Sequence, residues 1–470
     1  MNTLIIGLLL TICVALVWLM PGLAPGALVM CAVVSAPTIL ILARTHDERT
    51  FLMRLFFVGL LVRIVLAAVI NMGHMEEFFG GDANTYDIFG QSLLRGLHGD
   101  GYHMEKYQSF VASGAGAWGM LYLVAGIYET VGTNLFAVQL VNASIGAATG
   151  IVVYYTAMTL FDNVRVARLA ALLVTFFPSL ILWSSQALKD GLIILALAVS
   201  ILATLRLMEK ITVKWVLIIT VSLLTLLSLR FYIFYMMTAA VAGSFIIGMK
   251  SLSAQSFLHR FVAVAAIGMA FTWFGVLQYA GTQFDRFANL KQIQASRQDQ
   301  AEAGSGFGKD VDITTTEGAL SVVPLGIVYL LFAPFPWQFS TLRQSITLPE
   351  MIVWWLAFPL LVLGMWYSIK HRLRQVSPIV LFTTMLTLVY SIFQGNVGTA
   401  YRQRSQLLVF YFIFVAVGAI IMKERAENRR LQAQMAKQEL AELQAARVLA
   451  RRGKPAMGQI ISGNLSRQDN

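Results

Sequence analysis

The sequence predicts an all-α polytopic membrane protein, with about twelve transmembrane helices and further helices lying at the extracytoplasmic interface. Of 470 residues, 57% are hydrophobic and only 13% charged, and the mean hydropathy is +0.70, so a water-soluble fold could not hide the apolar surface. Apolar runs of about 17 to 25 residues recur along the chain, the length a helix needs to cross about 30 Å of hydrocarbon. Runs such as 192–205 show no strict alternation, which argues against the strands of a membrane β-barrel.

Taken in order, the first two runs, 4–20 and 27–43, lack the basic flank and small-residue cleavage site of a signal peptide and are expected to be retained helices. They hold the only cysteines, Cys13 and Cys31, which say nothing about redox compartment there. The remaining expected spans lie near 55–71, 136–161, 168–187, 190–207, 214–229, 231–249, 261–280, 350–369, 378–395 and 405–421. The formal charge of +11 collects in short loops between these runs and in the C-terminal tail, a pattern of cytoplasmic loops rather than of a nucleic-acid surface. Arg44, Arg49 and Arg54, Arg165 and Arg168, Arg206, Lys210 and Lys214, Lys250 and Arg260, and Lys370, Arg372 and Arg374 fall in every second connection, which predicts both termini in the cytoplasm.

That register leaves two long segments outside, 72–135 and 281–349, within a transmembrane domain of residues 1–422. Their apolar stretches 118–131 and 320–335 are expected to lie in the interface, and loops of this length usually carry function. Residues 423–470 predict a charged cytoplasmic helical tail, disordered beyond Gly453, which reads as a solvated extension or as a docking helix for a partner or the membrane surface.

The strongest local signal is GGDANTYDIFGQSLLRG, Gly80 to Gly96. Phe89, Leu93 and Leu97 share a helical face, so the motif predicts an amphipathic interfacial helix with Asp82 at its start. Asp82 has two readings there: an N-cap of a helix that Gly96 ends, or a general base held at the positive helix end. Arg230, between two apolar runs, and Arg402 and Arg404, in GNVGTAYRQRS, are read either as interfacial anchors or as a phosphate clamp that Lys189 joins, since a guanidinium suits bidentate phosphate contact. Arg63, inside the third span, needs a carbonyl or a carboxylate, with Glu76, Glu77 and Asp82 as candidates. His98, Asp100 and His103 match no strong metal-ligand spacing, so no metal ligands are assigned. Tyr86, Trp337 and Tyr401 are candidate substrate contacts.

The Gly80–Gly96 motif, the following interfacial segment and span, the short basic loop 162–168 and then PSLILWSSQALKDGLI from Pro178 together resemble polyprenyl-phosphate-dependent glycosyltransferases of the GT-C fold, such as aminoarabinose transferases and protein O-mannosyltransferases. The resemblance covers roughly residues 55 to 420. It implies a catalytic face built from the first outer loop, with Asp82 matching the family's acidic residue and Asp190 a second acidic position. It also implies a polyprenyl-phosphate-linked sugar as donor, an extracytoplasmic glycan, lipid or protein as acceptor, inversion at the sugar, and a place in the bacterial inner membrane among envelope-polysaccharide enzymes. A divalent cation is left open, because members differ in using one. The chain departs from the family where EKYQSFVASGAGAWGML replaces its usual Lys-Pro-Pro-Leu-Tyr-type segment, and in the two spans that precede the third. A polymerase or ligase of lipid-linked glycans, a transporter or lipid flippase, and a noncatalytic scaffold are the competing expectations.

Overall fold

A computed structural model describes residues 3–112, 117–247, 290–302, 304–309, 311–338 and 342–452. Among them the helices are α1 (Thr3–Leu19), α2 (Ala24–Arg44), α3 (Arg49–Met72), α4 (Glu76–Phe79), α5 (Asp82–Leu97), α6 (Gly101–Ala112), α7 (Trp118–Val131), α8 (Leu135–Phe161), α9 (Val164–Phe176), α10 (Pro178–Ser184), α11 (Asp190–Glu209), α12 (Val213–Leu229), α13 (Phe231–Ile247), α14 (Leu290–Glu302), α15 (Thr316–Phe332), α16 (Leu348–Phe393) and α17 (Val397–Arg452), with short single turns besides. The chain is a multi-pass α-helical membrane protein. Six of these helices, α2, α3, α8, α11, α16 and α17, are long and apolar enough to cross a bilayer. The bent pair α9 and α10 makes a seventh, and α1, α12, α13 and α15 are shorter apolar helices.

Several expected spans take a different form. The run 168–187 is broken by a 55° bend between α9 and α10, where Pro178 starts the second helix and its missing N–H cannot continue the first. The runs 350–369 and 378–395 keep their separation within α16, which is two helices joined at Arg372, whose backbone is non-helical. The expected span 261–280 and the tail beyond 452 lie outside the described residues. By its internal packing the chain divides into two units, Met1–Gly418 and Ala419–Asn470; the second is helical to Arg452 among its described residues.

The first unit is organised on α8, which is buried along most of its length and packs against α2, α3, α9 and α11. Small residues let those backbones approach: a Cβ at Gly150 would lie 2.0 Å from Thr175 Oγ1, and one at Gly146 would lie 2.4 Å from Ser184 Cβ. The N-cap Asn134 accepts from Ala137 N–H at 3.0 Å and donates to the Leu23 carbonyl at 2.8 Å, tying the start of α8 to α2. Arg63 on α3, 1% exposed, has the carbonyls it needs: it donates to Gly59 O and Thr175 O, each at 3.0 Å, and to Ser184 Oγ at 2.8 Å. Glu76 is instead bonded by Gln139 at 3.4 Å. Thr175 belongs to the last turn of α9, where carbonyls lose their helical partners, so the guanidinium caps a broken helix from across the core.

The segment 72–135 is folded into α4 to α7. α5 buries Ala83, Tyr86, Gly90 and Leu93, a stripe shifted from the expected one: Leu97 is exposed and Phe89 only partly buried. Gly90 lies against Val124 of α7, and Gly96 does not end the helix but lets α6 approach, a Cβ there being 2.9 Å from Met104 Cα. Tyr128 of α7 donates to Asp87 at 2.6 Å, fixing α5 in rotation. The N-cap of α5 is Gly81, and Asp82 makes no capping bond, which leaves its carboxylate for another partner.

Candidate functional site

Five charged side chains from four places in the sequence meet at helix ends. Arg402, on the second turn of α17, donates from Nη1 to Asp82 Oδ2 at 2.7 Å. Its other edge faces Asp190, with Nη2 at 2.5 Å and Nε at 2.8 Å from Oδ2. Asp190 is fully buried at the first turn of α11, where the helix dipole favours an anion, and Arg230, between α12 and α13, stands 3.5 Å from its Oδ1. Lys189, one residue earlier, holds its ammonium 5.8 Å from the ring centre of Tyr86 and makes no ion pair among the described residues.

Three of these side chains, Asp190, Arg402 and Arg230, are positioned by groups not among the expected site residues. The non-helical stretch before Asp190 is clamped by Asn142 of α8, which donates to Gln186 O and Leu188 O, each at 2.7 Å. Trp183 of α10 lies 5.7 Å under the Arg402 guanidinium. Tyr390 of α16 receives Arg230 Nη1 at 3.5 Å and donates to Gln406 at 2.7 Å. Trp183 carried a signal, sitting within the motif around Asp190. Asn142, Tyr390 and Gln406 carried none, being single polar groups in apolar surroundings.

The electrostatics are lopsided. Two arginines balance two carboxylates, so the surplus of positive charge is that of Lys189 when it is protonated. Burial, with Arg230 adding to it, lowers Lys189 to about 7, while Asp190 and Asp82 oppose that shift. The chemistry available is therefore anion binding, with a carboxylate at its edge: Asp82 has 51% of its side chain exposed, against 14% for Arg402 and none for Asp190. The position between the two carboxylates is filled by the Arg402 guanidinium.

Three of the expected site residues lie elsewhere. Arg404 is 1% exposed and points away from the cluster, donating to Leu330 O at 2.7 Å and to Ala333 O, with Met351 Sδ 3.0 Å from Nη1. Tyr401 is buried and donates to Glu350 at 2.7 Å, so neither its hydroxyl nor its ring is presented as a sugar platform. Trp337 is exposed and stacked on Phe335, at a centroid distance of 4.9 Å. The histidines are likewise dispersed: His98 pairs with Glu129 at 3.1 Å, and His103 sits between Asp100 at 2.6 Å and Arg95 at 3.3 Å. Among the described residues no three His, Cys, Asp or Glu side chains stand together as metal ligands.

No protein-family model matches the chain, and no curated protein matches it.

Proposed function

We propose that this protein is a membrane glycosyltransferase that moves a sugar from a polyprenyl phosphate to a hydroxyl of an extracytoplasmic glycan, lipid or protein acceptor, in a bacterial inner membrane with both termini cytoplasmic. The observation that carries this reading is the joining of Asp82 and Asp190 through Arg402, beside Lys189 and Arg230. Residues far apart in sequence are held as one acidic and cationic cluster at helix ends, the combination that a general base and a phosphate leaving group require. In the reaction the acceptor O–H gives its proton to Asp82, and its oxygen bonds to the anomeric carbon. The bond from that carbon to the phosphate oxygen breaks on the opposite face, so the centre inverts and the electron pair leaves on the lipid phosphate. Arg402, Arg230 and Lys189 offset the charge that develops there. Asp190 is the fixed counter-ion that makes burial of two arginines tolerable. The full chain in detergent, given polyprenyl-phosphate sugars and an envelope-glycan acceptor, is expected to form a glycosidic product that Asp82→Asn abolishes. Near-normal transfer by that variant would remove Asp82 from the role. Donors carrying one sugar or many separate a transferase from a lipid-linked glycan polymerase or ligase.

A second reading has one observation in its favour. α9 and α10 form a bent pair that leads through an unwound stretch into Asp190, and discontinuous helices of this kind line binding sites in transporters. Lipid translocation in liposomes without glycosidic product would favour that reading.

A further inference from the structure

The two carboxylates on Arg402 are not equivalent. Asp190 is fully buried and takes Nε and Nη2, whereas Asp82 is half exposed and takes only Nη1. Separating Asp190 from the arginine strands a charge in the core, which no ligand could offset cheaply. Separating Asp82 returns a carboxylate to water it already touches, and pairs of that kind are weak. Arg402 therefore has one permanent edge and one exchangeable edge. Lys189, which has a ring but no carboxylate for a partner among the described residues, is the second group waiting for an anion.

We infer that Asp82 is the built-in occupant of an anion site formed by Arg402 Nη1 and Lys189, and that a prenyl-linked phosphate binds by displacing it. The headgroup follows from the chemistry, since a tetrahedral oxyanion can accept from a guanidinium edge and an ammonium together whereas Asp82 reaches only the guanidinium; the prenyl chain follows from the transferase reading. The inference rests on the transferase reading for what it adds to mechanism. In the resting chain the Asp82 carboxylate is engaged by Arg402 Nη1, at 2.7 Å. Once phosphate has taken Arg402, Asp82 is free to accept a proton, so base and donor are brought into play together.

The test is equilibrium binding of farnesyl monophosphate, a short prenyl monophosphate, to the full chain in detergent, with inorganic phosphate as a second probe for the headgroup alone. Removing a competing charge worth an exposed ion pair is expected to tighten binding of farnesyl monophosphate by Asp82→Asn about two- to fivefold. Arg402→Ala is expected to weaken it at least tenfold. Asp82→Ser, which also lacks the charge but differs in size, should tighten binding as Asn does, and it serves if the Asn variant folds poorly. Unchanged or weaker binding by both Asp82 variants, or no binding of either probe to any form, overturns the inference. A failure of the transferase reading is separate: it appears as tightened binding by Asp82→Asn while the unsubstituted chain transfers no sugar.

Discussion

Asp190 and Asp82 share one arginine but should differ sharply in what their charges contribute to stability. Asp190→Asn leaves the side chain nearly the same size but removes the anion from a fully buried position, where Arg402 is 2.5 Å and Arg230 3.5 Å away. Breaking a buried ion pair by neutralising one partner costs about 3 to 5 kcal/mol, because the other charge is left uncompensated, and here two arginines are left. The Asn oxygen can still accept one hydrogen bond, which places the expected loss toward the lower end, about 3 kcal/mol. Asp82→Asn removes an anion that is half exposed and paired once, for which about 0 to 1 kcal/mol is expected. Equilibrium unfolding in mixed micelles, titrated with a denaturing detergent, measures both. The Asp190→Asn, Arg402→Met double variant should then cost less than the sum of its parts, by about 0.5 to 3 kcal/mol of coupling. Equal losses for Asp82→Asn and Asp190→Asn would refute the reasoning, since the two contacts would then be energetically alike despite their difference in burial.

Three further outcomes follow from the same geometry. Arg63→Lys should be more destabilising than Arg63→Met in the same unfolding assay. One ammonium cannot reach Gly59 O, Thr175 O and Ser184 together, so the charge stays buried with fewer acceptors, whereas Met forfeits only the carbonyl pairing, at about 1 to 3 kcal/mol. Because Lys189 titrates near 7 in the fold and near its usual value when unfolded, the unfolded chain binds the extra proton between those values; its contribution to stability therefore rises with pH from about 7 to about 10.5, and Lys189→Met should flatten that part of the profile. Gly90→Val would push a Cβ to 2.4 Å from Val124 and should cost about 1 to 3 kcal/mol and move Asp82 with α5, lowering phosphate binding or transfer, whereas Gly126→Ala on α7, with open space around it, should be neutral or slightly stabilising.

Much of the candidate site was legible because charge inside apolar sequence is rare and stands out. Lys189, Asp190 and Arg230 border hydrophobic runs, Asp82 and Arg402 lie in short polar motifs between such runs, and the structure gathers all five. Arg404 was grouped with Arg402 because GNVGTAYRQRS reads as a loop, in which residues two apart can flank one ligand. The helix α17 already begins at Val397, and on a helix such residues point about 200° apart. Arg402 and Gln406, four apart, therefore share the face with Asp190, while Tyr401 and Arg404, three apart, share the face with Glu350 and the end of α15. Capping by Asp82 was a sound local expectation, and a tertiary partner overrode it: a nearby guanidinium holds a carboxylate more strongly than neutral amides do. The bend at Pro178 was readable in principle, but the run around it is apolar throughout, so hydropathy alone merged the two helices.

Four arginines, Arg63, Arg404, Arg402 and Arg230, divide into two kinds, and the division says where chemistry can occur. Arg63 and Arg404 have no carboxylate within salt-bridge reach among the described residues; each is spent on carbonyls at the C-terminal end of a helix, α9 in one case and α15 in the other. Those carbonyls carry the partial negative charge of the helix end, so a guanidinium there is neutralised by fixed dipoles that no ligand can displace without unmaking the helix terminus. Arg402 and Arg230 are neutralised by side-chain carboxylates instead. A side chain can rotate away, and one of the two carboxylates already touches water. In a membrane protein, where a charge near hydrocarbon must always have a counterpart, an exchangeable counterpart is what distinguishes a binding group from a structural one. By that criterion the Asp82 edge of Arg402 is the point at which this fold can accept an anionic ligand without losing its core.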